Sequence, residues 1–239
     1  MGFYWIENRA NMTVKNYHSE LDWQRHLVHQ LAGHKVDVVV DAGANSGQYA
    51  TRLRQADFKG RIVSFEPLAG PFSRLAGSSS ADPLWECRQC ALGDFDGTIA
   101  MNVAGNAGAS SSILPMLQSH RDVFPQANYV GVEDVAIRRL DSVAPRLLRH
   151  DDAVFLKIDV QGFEKQVIAG SESTINDRCV GLQLELSFVA LYDGDMLIQE
   201  ALDLMESLGF VLAGIALGFV DVRSGRVLQA DGVFFRARD

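Results

Sequence analysis

Along this chain short apolar runs alternate with stretches of helical spacing, and the two kinds of segment take turns. The first strong run covers residues 36–40 and ends in an acid, reading V-D-V-V-V-D from Val36 to Asp41. A continuous β-branched run of this kind suits a parallel strand covered on both faces. A Gly43-x-x-x-Gly47 turn follows, and 48–54 then reads as helix. Upstream, Ser19 begins a helix with Asp22 three residues on as a weak capping box, and Trp23, Leu27, Val28 and Leu31 give it an apolar stripe. Downstream, strands are predicted over 61–66, 85–92, 98–103, 130–140, 154–159, 180–186 and 210–217. Helices are predicted over 72–76, 116–123, 165–169 and 195–208, with a short one starting at Asp141-Ser142. The stretch 77–83 reads as loop, and 104–112 (A-G-N-A-G-A-S-S-S) as a segment that is flexible or ordered by ligand. Ser224-Gly225 marks a hairpin, and a closing strand covers 232–236. Strands alternating with helices predict a doubly wound, mostly parallel α/β sheet of Rossmann-like type with an antiparallel C-terminal strand. The expected organisation is an arm and helix over 1–35, serving as lid or dimer element, and one domain over 36–239.

The turn after the first strand sits where open α/β sheets bind ligands, and its glycines let backbone N–H groups and a helix N-terminus approach one. A nicotinamide fingerprint counted from Gly43 needs glycines at 45 and 48, where Asn45 and Gln48 stand. That weakens a pyrophosphate reading. Asp41 followed by A-G-A-N-S-G suits a cofactor with an amino-acid moiety and one nucleoside, which describes S-adenosylmethionine. The next strand ends in Glu66, 66 − 41 = 25 residues later, where a carboxylate can accept both ribose hydroxyls. The loop after the third strand is where an adenine would lie.

Composition adds exclusions. Of 239 residues, 47% are apolar and 22% charged, ordinary for a globular chain. The net charge of −8 gives no electrostatic case for nucleic acid or anionic membranes. No apolar run is long enough for a transmembrane helix, and the N-terminus lacks a signal pattern. Met1-Gly2 invites myristoylation, but Ile6 stands where Ser or Thr is wanted. Three cysteines, an odd number, point to a reducing compartment and a cytoplasmic location. Cys87 and Cys90 form a C-x-x-C without a second ligand pair, so they read as buried or half-buried thiols. His18, His26, His29 and His34 read mostly as helix surface.

Several stretches resemble the FkbM-type family of S-adenosylmethionine-dependent methyltransferases. They are V-V-V-D-A-G-A-N-S-G-Q-Y (38–49), S-F-E-P (64–67), C-A-L-G-D (90–94), S-S-S-I-L (110–114), R-L-D-S (139–142) and F-L-K-I-D-V-Q-G-F-E (155–164), with L-Q-L-E-L-S (182–187) and D-G-V-F-F-R (231–236) similar to its closing strands. The closing form is similar to actinobacterial, including mycobacterial, members. The resemblance implies an O-methyltransferase acting on a sugar, glycolipid, polysaccharide or polyketide-type hydroxyl. Implied cofactor contacts are Asp41, Gly43, Asn45, Gly47, Glu66, Pro67, Ala91, Leu92 and Asp159. The alternatives are a non-catalytic nucleoside-binding module and a nicotinamide-dependent oxidoreductase.

A sugar hydroxyl is a poor nucleophile, so a base or a divalent metal is the usual remedy. Asp159 and Glu185 end successive strands at the same sheet edge and are candidate magnesium ligands. His120, after the serine-rich loop, is the candidate base. Trp5, Tyr17, Phe188 and Tyr192 are aromatics that can stack on a sugar or pack.

Overall fold

The computed structural model describes residues 4–7, 13–16 and 19–237. The first described strands, β1 (Tyr4–Glu7) and β2 (Thr13–Asn16), pair antiparallel. Tyr17, His18 and the side chain of Trp5, named among the candidates above, lie outside the described residues. Helix α1 (Glu20–Gly33) starts at its expected cap, with Ser19 Oγ accepting the Asp22 amide at 3.2 Å. Trp23, Leu27 and Leu31 are buried against the central sheet, in one cluster with Val39, Phe155 and Phe235. α1 therefore packs in the same cluster as strands of the central sheet. His26 on this helix is buried, and His34 just after it is half-buried and stacks on Phe235 at 3.9 Å, so neither is fully on the surface.

The next elements come in strand–helix order: β3 (Val38–Ala42), α2 (Gln48–Gln55), β4 (Arg61–Phe65), α3 (Ala69–Ser79) and β5 (Trp85–Arg88). A small sheet follows, made of β6 (Ala91–Leu92), β7 (Gly97–Ala104) and β8 (Tyr129–Arg138), with α4 (Gln118–Val123) between the last two. The single strand expected over 85–92 is thus two: β5 pairs with β4, and β6 pairs with β8 in the other sheet. The chain then runs through α5 (Leu140–Leu147), β9 (Val154–Ile158), α6 (Glu164–Ala169), α7 (Glu172–Arg178), β10 (Cys179–Ser187), α8 (Ile198–Ser207) and β11 (Phe210–Leu217). The hairpin of β12 (Val220–Asp221) and β13 (Arg226–Val227) leads into β14 (Gln229–Arg236).

The central sheet has seven strands in the order β11-β14-β10-β9-β3-β4-β5. Its β3, β4, β5, β9 and β10 pair parallel, while β14 pairs antiparallel with both β10 and β11. This is the doubly wound α/β sheet with an antiparallel C-terminal strand. The apolar run of β3 has the physical reason anticipated. Val38 and Val40 face a cluster covered by α5 to α8, whereas Val39 faces the cluster covered by α1 and α2. All three are fully buried.

Helix α7 has no counterpart in the sequence reading. Its first amides, Ser173 N and Thr174 N, donate to the Asp141 carboxylate at 3.1 and 2.9 Å. Its last turn is held by Arg236, whose guanidinium donates to the carbonyls of Ile175 and Asn176. Both caps are distant in sequence. No helix among the described residues is long and apolar enough to cross a membrane.

Candidate active site

The turn after β3 is shaped by two glycines. Gly43 has φ +79°, and a Cβ there would lie 1.9 Å from the Asp159 carbonyl oxygen, so only glycine lets this turn rest on the end of β9. Gly47 has φ +87°, precedes α2, and a Cβ there would meet the Trp85 ring at 2.9 Å. Between them Asn45 is left-handed at φ 46°, and its Oδ1 accepts the Ser46 amide at 2.8 Å.

The amides of this turn are spent inside the protein. Gly43 N and Ala44 N donate to Phe65 O at 3.1 and 2.9 Å, and Gly47 N donates to Ala44 O at 2.8 Å. Asn45 N donates to Glu66 Oε2 at 2.8 Å. The expectation that these N–H groups face a ligand is corrected: they fix the loop's shape and hold a carboxylate. That carboxylate is nearly buried, and its other oxygen accepts the Leu68 amide at 3.0 Å. Burial pushes the Glu66 carboxyl up to about 7, against the pull of its two backbone hydrogen bonds.

Glu66 opens onto a cavity of about 250 Å³ at the carboxyl ends of β3, β4 and β9. Of the expected cofactor residues, Gly43, Asn45, Glu66, Pro67, Ala91, Leu92 and Asp159 line it. Asp41 and Gly47 are not in its lining; they stand behind it. Met101 and Phe163 wall its small-sheet side. Gly108, Ala109 and Ser111 bring the serine-rich loop to its rim. That loop is tied by its own side chains: Ser111 Oγ accepts the Ala104 amide at 2.9 Å, and Asn106 Nδ2 donates to Ser110 Oγ at 2.9 Å. These bonds contribute to its order.

Under the cavity lies a charge the sequence reading passed over. Lys157 sits in the apolar strand β9, level with Asp41 on β3. Its ammonium lies 3.0 Å from Asp41 Oδ1 and 3.4 Å from Asp159 Oδ2, and donates to Gly43 O at 3.1 Å. Burial opposes the ammonium, but Asp41 and Asp159 outweigh it and hold the group above the usual lysine value. A lone charge in an otherwise apolar strand was itself the available signal, because such a charge needs a partner.

Asp159 and Glu185 are brought together, though not in the expected way. Gln161 Nε2 donates to Asp159 Oδ1 at 2.8 Å and to Glu185 Oε2 at 3.1 Å. Gln161 Oε1 accepts the Tyr192 hydroxyl at 2.7 Å. An amide donor stands between the carboxylates, in the position a cation would take. The donor set therefore does not fit the magnesium pair expected from the sequence, and among the described residues no group of three or more His, Cys, Asp or Glu is placed to hold a metal. Glu185 is half-buried, and burial first, then the Asp159, Glu164, Asp231 and Asp195 carboxylates, push it well above the ordinary range. Glu164 is buried and accepts the amides of Val160 and Gly162 at 3.0 and 3.2 Å, which fixes the loop that carries Gln161.

His120 is placed elsewhere. It is 3% exposed, outside the cavity lining, and packs edge-on against Tyr192 with ring centroids 5.3 Å apart. Burial lowers it to about 4. Tyr192 is fully buried and packs, while Phe188 is exposed. Cys90 is buried and lines the cavity, and Cys87 is half-buried.

The model of the methyltransferase FkbM domain matches residues 41–212. This chain belongs to the FkbM methyltransferase family. The match spans β3 to β11 and includes every expected site residue, which overturns the nicotinamide oxidoreductase alternative. This FkbM chain is similar to the 2-O-methyltransferase NoeI of Sinorhizobium fredii (strain NBRC 101917 / NGR234), with 28% identity over 182 residues, 73% of each chain. It is also similar to Methyltransferase 1 of Beauveria bassiana (strain ARSEF 2860), with 22% identity over 185 residues, 73% of this chain and 72% of that one. In fold it resembles the crystal structure of magnesium protoporphyrin IX methyltransferase from Synechocystis PCC 6803 with bound S-adenosylmethionine. That likeness has a TM-score of 0.50 and 10% identity, covering 91% of this chain and 79% of that one.

Proposed function

We propose that this protein is an S-adenosylmethionine-dependent O-methyltransferase whose acceptor is a hydroxyl of a sugar or another small polyhydroxylated molecule. The observation that carries the reading is one cavity with Glu66 on one side and Asp159 on the other, at the carboxyl edge of the sheet. The donor set suits the cofactor: Glu66 presents a carboxylate to ribose hydroxyls, Ala91 and Leu92 offer an apolar wall to adenine, and Gly43 and Asn45 shape the space left for the amino-acid portion. When bound, S-adenosylmethionine supplies an electrophilic methyl carbon, and its C–S electron pair stays on sulfur as the C–O bond forms.

The chain's own residues do the rest by positioning and proton transfer. Met101 and Phe163 exclude water from the reacting region. Asp159, with its side chain 36% exposed, is open to an acceptor on one side and held by Lys157 and Gln161 on the other. Its carboxylate takes the proton that the acceptor hydroxyl loses. The name of NoeI, a 2-O-methyltransferase, supports transfer to oxygen.

The test is incubation with methyl-labelled S-adenosylmethionine and fractionated glycan, glycolipid and small-molecule extracts, followed by mass spectrometry and linkage analysis. Label on a sugar or polyol oxygen is expected. Label only on nitrogen or on protein rejects the reading.

A further inference from the structure

Two neighbouring carboxylates repel each other unless something that carries positive charge or donates hydrogen bonds stands between them. In this protein that something is an amide. We propose that Gln161 is the positioning residue of the site: its side-chain amide, fixed by the Tyr192 hydroxyl, holds Asp159 toward the cavity and ties it to Glu185, in the place a cation would otherwise take. The inference rests on the reading of Asp159 as the proton acceptor.

The geometry assigns the amide's orientation. A primary amide has two N–H donors on nitrogen and lone pairs on oxygen. Here both carboxylates meet the nitrogen, and the one hydroxyl donor meets the oxygen. The flipped amide would turn its oxygen toward two carboxylates, so the acids are what fix the nitrogen on their side. The Tyr192 hydroxyl is itself anchored, because it lies within 3.2 Å of Ser110 O as well as 2.7 Å from Gln161 Oε1.

The backbone beneath the amide is fixed with equal care. Gln161 is left-handed at φ 58°, a conformation that long side chains rarely adopt and that surrounding contacts must enforce. Ser112 Oγ donates to Gln161 O at 2.6 Å, while Glu164 Oε1 accepts the amides on either side. A Cβ on Gly162 would meet Tyr192 Cβ at 2.9 Å, so glycine is what lets Tyr192 pack against this turn. Strain at this residue, three tethers and one directed amide together place Gln161 at the cavity wall with both carboxylates in hand.

The electrostatic consequence concerns Glu185. The groups facing it are Asp159 after β9, Glu164 on α6, Asp231 opposite it on β14 and Asp195 before α8, all acidic. The Gln161 N–H is a donor to Glu185 within this acidic ring. Removing it withdraws stabilisation from the charged form, so Glu185 should titrate at still higher pH.

The experiment compares wild type, Gln161→Asn and Tyr192→Phe. Asparagine tolerates a left-handed backbone but is one methylene too short to span both carboxylates. Phenylalanine keeps the ring packing and removes only the hydroxyl. Three quantities are read: kcat for methyl transfer, the Kd of S-adenosylhomocysteine, and the Glu185 titration by carbon-13 carboxyl NMR, assigned with Glu185→Gln. For Gln161→Asn we expect kcat to fall by about tenfold, Kd to stay within about threefold, and the Glu185 titration to move upward; Tyr192→Phe should move all three in the same sense by less. An unmoved Glu185 titration in Gln161→Asn overturns the proposal, whether kcat stays or falls with the melting temperature. Unchanged kcat in both variants overturns it as well. If wild type methylates no acceptor, the functional reading fails separately, and the NMR titration still decides whether the amide ties the two acids.

Discussion

Glu66 makes opposite demands on the empty and the occupied protein, and this gives a quantitative test. Its carboxyl is pushed from 4.5 to about 7 by burial, only partly offset by the amides of Leu68 and Asn45. In the empty protein a raised acid contributes stability that is fully present below its unfolded value and is lost as pH rises through its folded value. Going from 4.5 to about 7 corresponds to at most about 3 kcal/mol lost between those limits. Ribose binding has the reverse sign, because only the ionised carboxylate accepts from both hydroxyls. With a folded value near 7, affinity should weaken by about thirtyfold between about pH 8 and about pH 5.5. The assay is calorimetry with adenosine, which carries no group titrating in that range, alongside urea unfolding of the empty protein. Glu66→Gln mimics the neutral state. It should bind weakly at every pH, lose about 1.5–3 kcal/mol of affinity at the alkaline end, and flatten the unfolding slope relative to wild type. Glu164 and Asp231 also rise, to about 7 and about 6, so only the difference between wild type and variant isolates Glu66. A Kd for wild type that is flat across this range, or a variant that binds as wild type does at pH 8, refutes the reasoning.

Other outcomes follow from the same geometry. Lys157→Met strands the fully buried Asp41 without its cation and should cost about 3–5 kcal/mol in urea unfolding; a loss below about 1 kcal/mol would mean that the pair is not the anchor it appears in the geometry. Treatment with EDTA should leave methyl transfer unchanged, since the Gln161 amide stands between Asp159 and Glu185; activity lost to chelator and restored by magnesium would reject that view. His120→Phe should keep kcat within about threefold and change stability by less than about 1.5 kcal/mol, because His120 packs against Tyr192 outside the cavity; a collapse of kcat would restore it as the base.

The sheet was legible because its signals are local. In β3 three successive valines face two different clusters, and a strand buried on both faces has no choice but to be apolar throughout. The acids at strand ends, Glu66 and Asp159, were legible for a similar reason: an acid that closes an apolar run marks the strand's carboxyl end, and in an open parallel sheet that end is the ligand-binding edge. What escaped is held by distant partners. The N-terminus of α7 is capped by Asp141 and its C-terminal carbonyls by Arg236, so no window around its own residues contains either cap. The break between β5 and β6 escaped because both pieces are extended, and only their partner strands, β4 and β8, tell them apart.

Lys157 shows where a closer reading would have reached further. A lysine flanked by Leu156 and Ile158 in a strand with no exposed residue has to be paired, and Asp41 is the acid at the matching height of the neighbouring strand. Gln161 allowed no such inference. Its partners Glu185 and Tyr192 lie 24 and 31 residues away, and the left-handed turn that aims its amide depends on Ser112, 49 residues back. Strand ends reveal which acids approach one another. Whether a metal, a proton or an amide then stands between them depends on a turn whose conformation is set from outside it. Thus the sequence could bring Asp159 and Glu185 to one edge, yet the chemistry between them had to come from the position of a neutral side chain.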